Sequence, residues 1–179
     1  KISNDDIVHY FRLFTTLAIP STYISTGLWC CTSEILKENK IKNISYPCDW
    51  IFSSFELIFE LFEKKNIFEH EYLVLENNLT VHKKYGKIFN HHNLLCNYKH
   101  YDYFQRRFSD WMTLFTDELN TTVKVFVQFL YDIPNDKSNI YKLNSMLINN
   151  FNIYYSYILV YPNFDNSIKD ITIKHTFEN

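Results

Sequence analysis

Three short segments of the chain contain residue types that could take part in nucleophilic catalysis. Cys30 comes three residues after Gly27, which is one of only two glycines in the sequence. Asp49 lies downstream, and His91 and His92 are adjacent to each other. A thiol, a histidine base and a group that orients the histidine form the usual arrangement of nucleophilic cysteine catalysis. These residue types therefore predict attack by a cysteine on a carbonyl carbon.

The position of Cys30 favours reactivity. Gly27 permits a left-handed turn between a predicted strand and a predicted helix, so that Cys30 stands at the helix N-terminus. The helix dipole places about half a positive charge there, which favours a thiolate over a thiol. The alternative is that Cys30 and Cys31 are small buried apolar residues, since free cysteines are among the most buried residue types. Both interpretations stay open at this point.

The two histidines are candidates for the base. A strand predicted over residues 87–91 would hold them on a rigid element, and the alternation of side chains would let only one face the thiol. Neighbouring strand residues diverge, and no Cys/His spacing supplies further ligands, so we expect no metal. We also expect no cofactor.

Asp49 and the arginine pair each have two interpretations. Asp49 either accepts the second N–H of the histidine or is a turn or helix-capping residue. Arg106 and Arg107 are adjacent on a predicted amphipathic helix, where such pairs usually form a solvated face. In a cleft they would instead bind a carboxylate or phosphate of the substrate through bidentate hydrogen bonds.

The elements that must position these residues alternate between helix and strand. Helices are predicted over residues 5–17, 30–40, 55–62, 101–119 and 138–149, and strands over residues 22–26, 72–75, 87–91, 123–130, 156–161 and 171–175. Buried strands separated by helices indicate parallel βαβ units, because parallel neighbours need a crossover. The sequence therefore predicts an α/β fold, a three-layer sandwich with a mostly parallel central sheet, and a single domain over residues 1–179.

Composition excludes some classes of protein. The 179 residues carry a net charge of −2 from 18 basic and 20 acidic side chains, so no basic surplus is available for nucleic acid. No apolar run is long enough to span a bilayer, and no signal peptide is visible at the start. The cysteine spacing favours free thiols and so a cytoplasmic, reducing compartment. Frequent asparagine, lysine and isoleucine indicate an AT-rich genome, viral, protozoan or bacterial.

The motifs together resemble a known family. Gly-x-x-Cys, then Pro-x-Asp-Trp-Ile, then Phe-x-His-His, then Tyr-Phe-x-Arg-Arg-Phe follow in order over residues 22–131. This order is similar to that of the uncharacterised papain-like cysteine peptidases. Cys48 stands where that family usually has phenylalanine, Asn93 where aspartate is common, and Gln128 where arginine is frequent.

The resemblance implies roles for individual residues. Cys30 would be the nucleophile, His91 or His92 the base, and Asp49 or Asn93 the orienting group of a cysteine peptidase or a related hydrolase or acyltransferase. It also implies a papain-like α+β fold, with a helical lobe and a largely antiparallel sheet, as the alternative to the α/β sandwich.

Three function classes remain after the sequence alone. The first is a thiol-nucleophile enzyme acting on a peptide or on a small acyl- or glycan-linked substrate. The second is an α/β transferase or sugar-nucleotide-binding domain, in which Arg106, Arg107 and the loop after Thr26 hold an anion. The third is a non-catalytic structural or interaction protein, for which the 18% aromatic content supplies surface anchors. We expect neither nucleic acid nor a membrane as partner.

Overall fold

The main sheet of the protein is mostly parallel. The computed structural model describes residues 21–27, 30–38, 40–92, 97–116, 123–129, 138–151, 155–160 and 173–174. Four strands of this sheet lie in the order β1 (Ser21–Gly27), β4 (Val123–Phe129), β5 (Tyr155–Val160) and β6 (Ile173–Lys174). The first three pair in parallel, and the short β6 runs antiparallel to β5. The predicted α/β class is confirmed, and this sheet differs from the largely antiparallel sheet of the papain-like alternative.

Four α-helices accompany the sheet in the described residues. They are α1 (Cys31–Glu38), α2 (Phe55–Phe62), α3 (Tyr98–Thr113) and α4 (Ser138–Asn150). The helix α4 is the crossover between the parallel strands β4 and β5, as predicted. The helix α1 packs against β1 and β4, so it is attached to the sheet where its chain leaves β1. The helix predicted over residues 5–17 lies outside the described residues.

A second sheet has two strands, and the first of them confirms the strand predicted over residues 72–75. It is an antiparallel hairpin of β2 (Leu73–Glu76) and β3 (Leu79–His82), and Asn77 and Asn78 close it with φ angles of 50° and 62°. The strand predicted over residues 87–91 is wrong. Gly86, with φ of 72°, instead folds the chain back so that its N–H and C=O both bond to His82.

The core is dominated by aromatic rings. The Phe62 ring of α2 lies 5.1 Å from that of Trp111 on α3 and 5.7 Å from that of Phe126 on β4. Trp111 also donates its indole N–H to the carbonyl of Leu61 at 2.9 Å. Aromatic side chains bury large apolar areas and gain from edge-to-face contacts. This cluster fixes α2 and α3 against the sheet. Several residues of the candidate site lie in the segments between these elements.

Candidate active site

The turn after β1 is held by close packing. Gly27 has φ of +94°, and a Cβ at this position would lie 1.4 Å from Oγ of Ser53. The same hydroxyl of Ser53 donates to the carbonyl of Thr26 at 3.0 Å. Thr32 of α1 reaches back to the carbonyl of Gly27 at 3.5 Å. Only glycine fits at this end of β1, because the Cβ of any other residue would overlap Ser53.

Cys30 stands at the start of α1 and is partly exposed. Its carbonyl accepts the N–H of Glu34 at 3.1 Å, which is the first bond of the helix. Gly27 pairs with Gln128, so the carboxyl ends of the parallel strands β1 and β4 lie side by side. Cys30 comes three residues after Gly27 in the chain. Open α/β sheets bind their ligands at this edge. Cys48, in contrast, is fully buried, and burial raises the pKa of its thiol to about 12.

The carboxylate of Asp49 is the centre of a buried polar cluster. One oxygen accepts the hydroxyl of Ser33 on α1, and the other pairs with the ammonium of Lys42 and accepts the N–H of Tyr46 at 2.6 Å. Burial lowers the pKa of Lys42, and the charge of Asp49 acts in the opposite direction. Asp49 therefore anchors α1 to its own turn, and these contacts occupy both of its carboxylate oxygens.

Arg107 is part of the same cluster. Its side chain is only 1% exposed, and it donates one N–H to the main-chain carbonyl of Asp49 and another to the hydroxyl of Tyr103, both at 2.6 Å. Arg106 is exposed and lies over the ring of Tyr103. The structure thus gives the two adjacent arginines different environments. Arg107 has a structural role, because its buried guanidinium holds the segment that contains Asp49.

The two histidines occupy different environments in a turn after Phe89. His91 is exposed and meets the ring of Trp50 edge to face, with ring centroids 6.0 Å apart. His92 packs on Phe104 at 5.0 Å, and its Nε2 is buried without a hydrogen-bond partner in the described part of the chain. Burial lowers the pKa of His92 to about 4. His92 is therefore a neutral, packed residue at physiological pH.

Trp50 adjoins a small surface cavity that sequence reasoning missed. The cavity measures about 120 Å³ and is lined by seven residues, namely Ser33, Lys37, Lys42, Asn43, Ile44, Ser45 and Trp50. Trp50 is half-buried, and its φ is +63°. A bulky residue in this conformation costs about 1–2 kcal/mol. Bulky residues with a left-handed backbone occur most often at functional sites, but the sequence gives no sign of this conformation.

The structure brings some of the predicted residues together and leaves others apart. Asp49 and Arg107 are in contact, and Ser33 links them to the helix that begins behind Cys30. Among the described residues, no hydrogen bond joins Cys30 to His91 or His92, and none joins Asp49 to either histidine. Asn93 and Cys96 lie outside the described residues. In the same ranges, no three Cys, His, Asp or Glu side chains gather as they would around a metal ion.

Fold and site together define an α/β protein with a partly exposed cysteine at a helix N-terminus. Residues 21–80, about a third of the chain, match the family described as "Putative papain-like cysteine peptidase". The matched segment contains β1, Cys30, α1 and Asp49 and ends within the hairpin, before His91 and His92. No curated protein and no solved structure matches the chain. None of the helices in the described ranges is long and apolar enough to cross a membrane.

Proposed function

We propose that this protein is a cysteine-dependent hydrolase of amide or acyl bonds and that Cys30 is its nucleophile. The proposal rests on the contacts that hold the residues on either side of Cys30 in place. Ser53 fixes the end of β1, and Asp49, held in turn by Arg107, fixes the first turn of α1. Catalytic groups need positions held by their surroundings to within a fraction of an ångström. The family match over residues 21–80 supports the same class.

The chemistry follows from the position of Cys30. Its thiolate attacks the carbonyl carbon of the substrate, a C–S bond forms, and the first N–H groups of α1 lie near the negative oxygen that develops. Collapse of this intermediate breaks the bond to the leaving amine or alcohol, which takes a proton from a histidine. Water then hydrolyses the thioester and restores the thiol. The substrates that suit this sequence of steps are peptides and small acyl- or glycan-linked compounds.

His91 is the better candidate for the base. It is exposed, and its partner Trp50 is also in contact with Lys37 of α1, so that Trp50 bridges His91 and the helix of Cys30. His92 is packed against Phe104, and its pKa of about 4 makes it a weak base. A base and a nucleophile often stand further apart without substrate than in the reactive complex.

A non-catalytic binding protein is the second candidate. It is favoured by the packing of both histidines against aromatic rings, with no hydrogen bond from either to Cys30 in the described residues. The transferase alternative loses its anion-binding pair, because Arg107 is buried and bonded to Asp49 and Tyr103.

Acyl transfer from an activated ester separates these candidates. The protein is mixed with p-nitrophenyl acetate, and the acetylated residue is located by mass spectrometry of the quenched reaction. We expect a transient acetyl group on Cys30, its absence in Cys30→Ala, and slower acetylation in His91→Asn but not in His92→Asn. Acetylation that is unchanged in Cys30→Ala would contradict the proposal and favour the non-catalytic candidate.

A further inference from the structure

The cavity beside Trp50 has a size and lining that suit one particular kind of group. A volume of about 120 Å³ is well below the roughly 300 Å³ or more of sites that hold whole ligands of drug size. The cavity is therefore large enough for one substituent of a ligand. Its lining combines the amino groups of two lysines, the polar side chains of two serines and an asparagine, and one indole ring.

The charge of the cavity is positive. Lys42 is paired with the carboxylate of Asp49, so its charge is largely balanced within the protein. Lys37 is exposed, its only described ring contact is with Trp50 at 5.8 Å, and its charge has no carboxylate partner in the described residues. Glu34 and Glu38, the acidic residues of α1, do not line the cavity. One uncompensated ammonium beside the neutral side chains of Asn43 and Ser45 favours an anion, while the hydroxyl of Ser33 is bonded to Asp49.

The cavity continues the face of α1 that begins at Cys30. Cys30 and Lys37 are spaced i and i+7, which places them within about 20° of one another around the helix axis, whereas Ser33 is buried against Asp49. The rise along the axis is about 4.5 Å from Cys30 to Ser33 and about 10 Å to Lys37. An extended peptide advances about 3.4 Å per residue. A substrate lying along α1 would therefore reach Lys37 two or three residues away from the bond that Cys30 attacks.

The left-handed backbone at Trp50 is an independent observation. The strained φ of +63° holds the ring at the cavity, where it touches Lys37 and His91. Strained residues persist when the surrounding structure fixes them, and they gather at ligand sites. Here the buried cluster of the preceding residue, Asp49, supplies that constraint. The indole face then offers an apolar surface for the carbon chain that carries the anionic group.

From these observations we infer that the cavity is a subsite for a carboxylate group of the substrate, which Lys37 binds while Trp50 packs against the adjoining carbon chain. The inference deepens the proposed function and rests on it for the role of Cys30. The substrate class is then an acyl or peptide compound with an acidic side chain two or three residues from the reacting carbonyl.

The direct test measures binding without any reaction. N-acetylglutamate α-amide and N-acetylglutamine α-amide differ only in the charge of one group, and each is titrated into the protein while NMR follows the indole N–H of Trp50. We expect the glutamate compound to shift this signal and the glutamine compound to bind several-fold more weakly. Inorganic phosphate is the third probe. Equal binding of both amides, or binding of phosphate alone, would overturn the inference.

Variants assign the binding to the cavity. Lys37→Met should weaken binding of the glutamate compound about three- to fivefold, as expected for an exposed ion pair. Lys83→Met, which removes an exposed lysine outside the cavity, is the matched control and should have no effect. Trp50→Leu keeps an apolar side chain but removes the ring, and it should weaken binding of both amides, which NMR then follows at the main-chain N–H of Ser45 in the cavity lining. Loss of binding in Lys83→Met, or retention in Lys37→Met, would contradict the assignment.

A final experiment distinguishes the proposed subsite from the proposed catalytic role of Cys30. A saturating N-acetyl-Ala-Ala-Glu amide, which is long enough to span the distance of about 10 Å from Lys37 to Cys30, should slow alkylation of Cys30 by iodoacetamide in the wild-type protein but not in Lys37→Met. Binding that depends on Lys37 without such protection would overturn the subsite and leave the proposed function intact. An inert Cys30 combined with Lys37-dependent binding would overturn the proposed function instead.

Discussion

The guanidinium of Arg107 donates a hydrogen bond of 2.6 Å to the main-chain carbonyl of Asp49, and both residues are buried. This bond joins two motifs that are 58 residues apart in the sequence. It also connects α3 to Asp49, whose carboxylate accepts a hydrogen bond from Ser33 of α1. Arg107 therefore acts on the site by holding its structure, because its charge lies inside the protein.

Replacing Arg107 with lysine tests this structural role. An ammonium can satisfy one of the two acceptors, Asp49 or Tyr103, but it lacks the fork that reaches both. We expect Arg107→Lys to lower the free energy of unfolding by about 1.5–3 kcal/mol, the value of one hydrogen bond to a charged group. Urea titration measures it. Arg106→Lys, on the exposed neighbour, should stay within about 0.5 kcal/mol of wild type, and equal losses would refute the distinction.

The ion pair of Asp49 and Lys42 makes a second prediction. Asp49→Asn keeps the shape of the side chain, but it replaces one accepting oxygen with an NH₂ group and leaves the Lys42 ammonium buried without its counter-charge. Breaking a buried pair from one side costs about 3–5 kcal/mol. The double variant Asp49→Asn/Lys42→Met should lose less than the two single variants together. Additive losses in urea unfolding would show that the pair is not coupled.

The two glycines form a matched pair for testing the turn before Cys30. Gly27→Ala adds a Cβ that meets both Oγ and Cβ of Ser53, whereas Gly86→Ala meets nothing within 4 Å. Both have positive φ, so backbone strain is common to them. We expect a loss of about 2–5 kcal/mol for Gly27→Ala and about 1 kcal/mol for Gly86→Ala. Thermal unfolding checks this, and similar losses would contradict the close packing on Ser53.

His92 should make stability depend on pH. Its pKa is lowered to about 4 in the folded protein, so below the ordinary value of about 6.5 the unfolded chain binds the proton more readily. Stability is then complete at pH 8 and falls as the pH drops from about 6.5 to about 4, by no more than about 3 kcal/mol from this residue. His92→Phe should flatten that part of the curve. A curve with unchanged slope would exclude His92 as a source.

The sequence predicted the elements with strong periodicity. The helix predicted over residues 55–62 is confirmed as Phe55–Phe62, because its apolar residues repeat at helical spacing without competing signals. The strands near residues 22–26 and 123–130 are also confirmed, since their composition and flanking breaks suit buried strands. The strand predicted over residues 87–91 is wrong because Gly86 closes a loop onto His82, a contact between backbone groups.

The site was less accessible to sequence reasoning. Asp49 could be read as a cap or as a catalytic group, and only the positions of Ser33 and Lys42 reveal the cluster that it holds. The pairing of Arg107 with the Asp49 carbonyl involves a backbone atom, for which no residue type gives a signal. The cavity beside Trp50 depends on a left-handed backbone at a residue type that rarely adopts it. Tertiary contacts of this kind do not follow from local pattern.

The reactivity of Cys30 is the central claim, and its alkylation rate tests that claim most directly. Cys48 is a built-in control, because its thiol is buried with a pKa of about 12 and should label only after unfolding. Iodoacetamide is applied at pH 7 to the native protein and to the protein in urea, and peptide mass spectrometry gives the rate at each cysteine. We predict that Cys30 reacts faster in the native protein than in the unfolded chain and that His91→Asn slows only the native rate. A native rate for Cys30 at or below its unfolded rate, unaffected by His91→Asn, would contradict the account.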